Sequence, residues 1–227
     1  MDSTLLVRSN LVVTLMIAHL IASLLAVEVR NLRYSVACLA MQSALLASIF
    51  GAFAYLTSTP SLYYWALTAV ITKVVIIPGL LWYHIARLPE REIRPVIGFR
   101  VSIAIIAILV VICYRFMHTY VQFVAPTPEA TVEPARSSLA VAFTVFALGL
   151  YVLMVRRDAV KIVVGLILLE NGIHLSLVTL APTLPETTIL GITTNVVVMV
   201  WIMLYLVRRA FERLGTTDTL DLSQLKY

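Results

Sequence analysis

The sequence predicts an all-α integral membrane protein, a bundle of about seven transmembrane helices with its N-terminus outside and its C-terminus in the cytoplasm. Composition is the first ground. Of the 227 residues, 61% are hydrophobic and 13% charged, and the mean hydropathy is +0.97, as befits a chain solvated mostly by lipid. Length is the second ground: the apolar residues fall into seven runs of roughly 20, each long enough at about 1.5 Å per residue to cross a hydrocarbon core of about 30 Å. The third is that the basic residues gather on one side of those runs.

The first run, Leu5 to Val27, is too long for the apolar part of a cleavable signal and has no convincing small-residue cleavage site after it, so it reads as the first span. The second, Tyr34 to Leu56, holds Gln42 at depth, a side chain suited to hydrogen bonding between helices. Aromatic residues bracket the third, Leu62 to Tyr83. Tyr63, Tyr64 and Trp65 mark one interface, and Trp82 and Tyr83 mark the other. Within it, Pro78 follows Lys73 by five residues and frees a backbone carbonyl nearby; a kink that opens space for water is one reading, and a membrane proline without such a role is the other. The fourth run is Val96 to Met117, giving a four-helix N-terminal region over 1–117. Residues 118–136 are too rich in proline for helix or sheet and read as a flexible extracytoplasmic divider. Ser137 to Val155, Val160 to Leu180 and Ile189 to Val207 form a three-helix region over 137–207. The remaining 208–227 is a cytoplasmic tail whose spaced leucines suit a docking strap, with a frayed terminus as the alternative.

A net charge of +5 raises the question of nucleic acid, but the placement of the 17 basic residues answers it differently. With seven spans, Arg30, Arg33, Arg87, Arg91, Arg94, Arg100, Arg156, Arg157, Lys161, Arg208, Arg209, Arg213 and Lys226 share one side, against Arg8, Arg115 and Arg136 on the other. Thirteen against three makes the richer side cytoplasmic. Lys73 is left over, inside the third span.

Few residues carry chemistry. Cys38 and Cys113 stand alone in separate spans, so no spacing for an iron–sulfur, zinc or nickel site exists. Two histidines at one depth would suggest a haem, but His174 lies roughly 9 Å from the N-terminal side and His19 roughly 21 Å on straight helices. No phosphate-binding loop, nucleophile elbow or His-Glu-x-x-His is present. Neither a catalytic site nor a cofactor is expected in this chain.

What remains is a set of polar groups in lipid-buried helices. Glu170 and Lys73 both stand near 15 Å depth on straight helices, so they can meet and balance charge if their helices are neighbours. A carboxylate held there, charged and unpaired, costs at least ~2.5 kcal/mol on insertion scales, which marks such residues as conductors of ions or as partners in a pair. His174 is one turn from Glu170 on the same face, and Asn195 in the last span stands at about its depth. Together with Asn171 they trace a candidate proton pathway from mid-membrane towards the N-terminal side. The competing reading is an ion pair with polar contacts that fixes packing and conducts nothing.

The segment Val155-Arg-Arg-Asp-Ala-Val-Lys-Ile-Val-Val-Gly-Leu-Ile-Leu-Leu-Glu170-Asn171-Gly-Ile-His174-Leu resembles component E of the hydrogenase-4 type of membrane-bound hydrogenase and formate hydrogenlyase complexes. Gln42-Ser-Ala-Leu-Leu-Ala-Ser-Ile-Phe50, Ile71-Thr-Lys73-Val-Val-Ile-Ile-Pro78 and Thr219-Leu-Asp-Leu-Ser-Gln-Leu-Lys226 extend the resemblance over nearly the whole chain. The last three spans are also similar to the K subunit of respiratory complex I. The carboxylate of that subunit's Gly-Leu helix falls here at Ile167, with Glu170 three residues later on the same face. Its second carboxylate falls at Asn195, which does not titrate usefully, so a two-glutamate relay is not preserved. Glu170, His174 and Lys73 fit the component E pattern.

The resemblance implies a non-catalytic membrane-arm subunit in a prokaryotic cytoplasmic membrane, contributing to translocation of H⁺ or Na⁺ coupled to redox chemistry in other chains. Those chains would hold the [NiFe] centre and iron–sulfur clusters. Implied partners are antiporter-like membrane subunits, a quinone-oxidoreductase-like membrane anchor subunit, peripheral hydrogenase-like subunits and lipid, with no nucleic acid. A structural membrane adaptor, or a subunit of a multisubunit cation/proton antiporter, are the alternatives.

Overall fold

A computed structural model describes residues 3–87 and 97–215 of the chain, and the described residues form helices and turns with no extended sheet. The helices are α1 (Ser3–Glu28), α2 (Leu32–Thr57), α3 (Ser61–Ala69), a π-helical segment (Val70–Ile76), α4 (Ile77–Ile85), α5 (Phe99–Val124), α6 (Ala135–Val155), α7 (Ala159–Leu180) and α8 (Glu186–Leu214). With α3, the π-helical segment and α4 taken as one span, seven helices among the described residues are long and apolar enough to cross a membrane. Arg91 and Arg94, and the tail beyond residue 215 with Lys226, lie outside the described residues.

Local chemistry sets the ends. Asn31 sits in extended backbone before α2 and its side chain accepts from the Arg33 N–H, while Asp158 does the same for α7 by accepting from the Lys161 N–H at 3.0 Å. Each satisfies an N–H that the first helical turn leaves without a partner. Ser58 ends α2 in the left-handed region, with φ of 52°.

Two expectations need correcting. The fourth span does not stop at Met117: α5 continues to Val124 across a kink at Tyr120 (φ −108°, ψ 22°), so part of the divider is helical. The connection that remains carries a 3₁₀ turn, Glu129–Thr131, and is tied down rather than free. Arg136 Nε donates to the His118 carbonyl at 2.6 Å, and Glu133 bridges His118 Nε2 at 3.1 Å and the Ser137 N–H at 3.2 Å. Prolines excluded regular structure there, but they did not exclude polar ties between the flanking helix ends. Lys161, one residue inside the sixth span and counted with the basic side, is 1% exposed inside the bundle.

α6 and α7 pack against each other most extensively, with α1 and α2 beside them; α5 lies on α6, and α8 covers α3, α4 and α7. The α6–α7 contact is close because glycine permits it. A Cβ on Gly149 would stand 2.6 Å from Leu169 N, and one on Gly172 would stand 2.7 Å from the Ala142 carbonyl and Phe146 N. Without a water-driven force between helices in lipid, such backbone approach is how dispersion holds them. At the basic end, Glu28 Oε1 receives Arg156 Nη2 at 2.6 Å and Ser102 Oγ at 2.6 Å, and Ser102 also meets Tyr151 Oη at 2.8 Å, which joins α1, α5 and α6.

Candidate functional site

The π-helical segment is what aims Lys73. A π-turn inserts one residue into the ladder, and here the Ile77 N–H reaches back five residues to the Thr72 carbonyl. Pro78 follows and has no N–H to continue that register. Lys73 is the buried residue of the segment, 3% exposed, while Val70, Ile71 and Val75 face outward. Beside Pro78 the span thus forms a wider turn, with Lys73 on its inner side.

Lys73 Nζ donates to Glu170 Oε2 at 2.7 Å and to Asn171 Oδ1 at 2.7 Å, and it touches His174 Nδ1. The two groups that equal depth allows to meet are thus in contact, with α7 supplying three side chains within two turns. His174 Nδ1 also contacts Glu170 Oε1, the i,i+4 neighbour. One ring nitrogen cannot donate and accept at once. Either it carries a proton shared with Glu170 or it accepts one from Lys73, so the three groups admit alternative proton placements without a change of rotamer.

From Lys73 the network runs inward across the bundle. Lysine has only donors, so Asn171 must present its oxygen there. Asn171 Nδ2 then donates to Gln42 Oε1 at 2.8 Å, which leaves Gln42 Nε2 facing His19 Nε2 at 3.2 Å. That ring nitrogen accepts, in agreement with His19 Nδ1 donating to the Gln42 carbonyl at 3.0 Å. Gln42, Asn171 and His19 are completely buried. One lysine on the third span thus sets donor polarity through α7 and α2 to α1.

Four of the five proposed pathway residues, Lys73, Glu170, Asn171 and His174, come together. Asn195 does not. Val196, Val200 and Leu204 face the core from α8, and that register puts Asn195 on the exposed side with no bond to the cluster. Beside His174, Trp65, 2% exposed, lies edge-on to its ring at 6.0 Å, with Phe50 packed on Trp65 in turn. His19 was not among the expected pathway residues. Its depth, unsuitable for pairing with His174 across a haem, matches that of Gln42, and that match was the available signal. Glu170 keeps a side chain 14% exposed, against 3% for Lys73, so it is where the triad retains access to the surface. Among the described residues, no three His, Cys, Asp or Glu side chains come together as a metal site.

Comparison with known proteins meets this geometry at one family. The chain is 31% identical over 207 residues to hydrogenase-4 component E of Escherichia coli (strain K12), covering 91% of this chain and 93% of the relative, with the same figures for the Shigella flexneri protein of that name. The chain belongs to the hydrogenase-4 component E family. It is also 28% identical over 210 residues to an uncharacterized protein of Mycobacterium tuberculosis, with 91% of each chain covered. Residues 137–227 match the family model for NADH-ubiquinone/plastoquinone oxidoreductase chain 4L, the part that resembles the complex I K subunit. No solved structure matches the chain. Glu170, Asn171 and His174 lie within the segment shared with chain 4L, whereas Lys73, Gln42 and His19 come from the preceding helices.

Proposed function

We propose that the chain is a non-catalytic membrane-arm subunit of an energy-converting hydrogenase or hydrogenase-related complex, in which the Lys73–Glu170–His174 triad takes part in proton movement coupled to redox chemistry elsewhere. Membership of the component E family supports the complex. The single observation that carries the role is Lys73 Nζ bonded at once to Glu170 and Asn171 and touching His174, at mid-depth and on a π-helical turn. Three adjoining titratable groups with alternative proton placements can pass a proton, whereas the amides of Asn171 and Gln42 orient the lysine and do not titrate. The surrounding complex supplies what this subunit lacks: antiporter-like membrane subunits, a membrane anchor subunit, and peripheral chains with the [NiFe] and iron–sulfur centres, in a prokaryotic cytoplasmic membrane.

The test is charge removal in the intact complex. Removing one member of a buried pair strands the other at a cost of ~3 to 5 kcal/mol if it stays charged, and otherwise forces its protonation to change. Glu170→Gln keeps shape and hydrogen bonding, so complexes should assemble on native gels while redox-driven acidification of membrane vesicles falls severely. Lys73→Met should do the same. The double variant restores neutrality and should assemble with the stability that the single variants lose, still without pumping. Normal pumping by assembled single variants would make the cluster a packing device and the chain a structural adaptor.

A further inference from the structure

Where α4 and α8 reach the basic end of the bundle, aromatic rings and arginines surround a cavity of about 390 Å³. Tyr83, Trp201 and Tyr205 supply its aromatic walls, and Arg208, Arg209 and Glu212 its charges. A cavity of about 160 Å³ beside it shares His84, Arg208 and Glu212 and adds Arg87. The guanidinium groups are already placed. Arg87 lies over the Tyr83 ring at 3.8 Å, Arg209 Nε donates to Tyr205 Oη at 3.1 Å, and Arg208 Nε donates to Glu212 at 2.7 Å. Among the described residues lining the two cavities, three arginines against one carboxylate, which Arg209 Nη1 also approaches at 3.5 Å, leave an excess of positive charge, and each guanidinium keeps further N–H groups in a fork that fits phosphate oxygens.

Depth and flank indicate the class of ligand. Tyr83 sits in the aromatic belt that ends the third span, so the pocket opens at headgroup level. From the level of the pocket, Leu206 at 54%, Ile202 at 46% and Val198 at 43% exposure run at successive turns as an apolar face along α8 towards mid-membrane. A soluble anion has no use for that face. A two-tailed amphiphile with a phosphodiester uses both parts, and basic pockets between helices at this level are suited to anionic headgroups.

We propose that the α4–α8 pocket binds the phosphate of an anionic phospholipid through Arg87, Arg208 and Arg209, with its acyl chains lying along the exposed face of α8. The proposal stands whether or not Glu170 moves protons.

The experiment titrates the purified full-length chain in neutral detergent with phosphatidylglycerol and with phosphatidylcholine of the same acyl chains, reading bound lipid by native mass spectrometry. One phosphatidylglycerol should be retained in preference to phosphatidylcholine, and excess inorganic phosphate should not displace it. The Arg208→Gln, Arg209→Gln double variant should bind phosphatidylglycerol roughly 30-fold more weakly and phosphatidylcholine unchanged. These two side chains are 45% and 58% exposed, and the variant should keep the helical spectrum and thermal midpoint of the parent. Arg87→Gln, on the far wall, should weaken binding independently and keeps the test open should the double variant misfold. Equal retention of the two lipids, or unchanged phosphatidylglycerol binding in both variants, would overturn the proposal. Displacement by phosphate alone would also overturn it and assign the pocket to a soluble anion.

Discussion

Lys73 and Lys161 are both buried lysines, yet their partners give them different work. Lys73 meets a carboxylate, an amide and an imidazole. Lys161 Nζ donates to the carbonyls of Ala26 and Val27 at 2.7 and 3.1 Å and to Ser35 Oγ at 2.8 Å. Those carbonyls belong to the last turn of α1, whose C=O groups have no partner within the helix, and a cation there also complements the helix dipole. Lys161 is therefore a cross-helix cap. Lys161→Met should leave the Val27 carbonyl buried and unpaired and the Ala26 carbonyl held by Ser35 Oγ alone, at 2.7 Å, lowering stability by about 1 to 3 kcal/mol, read as a lower unfolding midpoint of the purified chain in detergent. An unchanged midpoint would mean that water replaces the ammonium. The two roles were unequally legible in the sequence. Counting residues from a span end put Lys73 and Glu170 at one depth, which requires only the helix rise. Lys161 stands one residue inside its span, where depth alone does not separate a snorkelling surface lysine from a buried cap. His19 and Gln42 were visible as polar residues, but which helices adjoin was not, and the chain of donors between them depends on that adjacency.

At the scale of elements, glycine position decides how α6 and α7 meet. Gly149 and Gly172 face backbone atoms of the opposing helix at 2.6 to 2.7 Å from any added Cβ, whereas Gly51 and Gly191 have nothing within 4 Å. Gly149→Ala and Gly172→Ala must push the helices apart, at a cost of about 1 to 3 kcal/mol. Gly51→Ala and Gly191→Ala meet no obstacle in helices and should be neutral or raise stability by up to about 1 kcal/mol. Thermal unfolding of the four purified variants separates the two pairs, and equal effects in both would contradict the close α6–α7 contact. Hydropathy located all seven spans because an apolar run of membrane length has few alternative fates. It was silent on these glycines, since glycine is frequent in membrane helices of every kind. The π-helical turn escaped too. Seven residues of altered register leave the apolar run intact, and only Lys73 followed by Pro78 hinted at it. At the end of α5 the error had a plain source: His118 to Gln122 is polar enough to read as loop, yet helix needs no apolar environment once it leaves the bilayer core.

For the molecule as a whole, the open matter is its sense across the membrane, since no contact between helices depends on it. The turn between α6 and α7 holds Arg156 and Arg157 and lies at the end carrying Arg87 and Arg208, while the connection between α5 and α6 lies at the opposite end. Burial of Lys161 removes one charge from the loop tally and leaves twelve against three, so the positive-inside argument keeps its sign. Arg157 and Thr127 are exposed, one at each end. In a background with Cys38 and Cys113 replaced by alanine, Thr127→Cys should react with an impermeant thiol reagent added to intact cells. Arg157→Cys should react only after the membrane is permeabilised. The reverse pattern would invert the protein, place the α4–α8 pocket in the outer leaflet, and leave the internal geometry of the Lys73 cluster untouched. Labelling of both positions from one side would break the seven-span count itself, because an odd number of crossings separates the two connections only if α6 spans the bilayer.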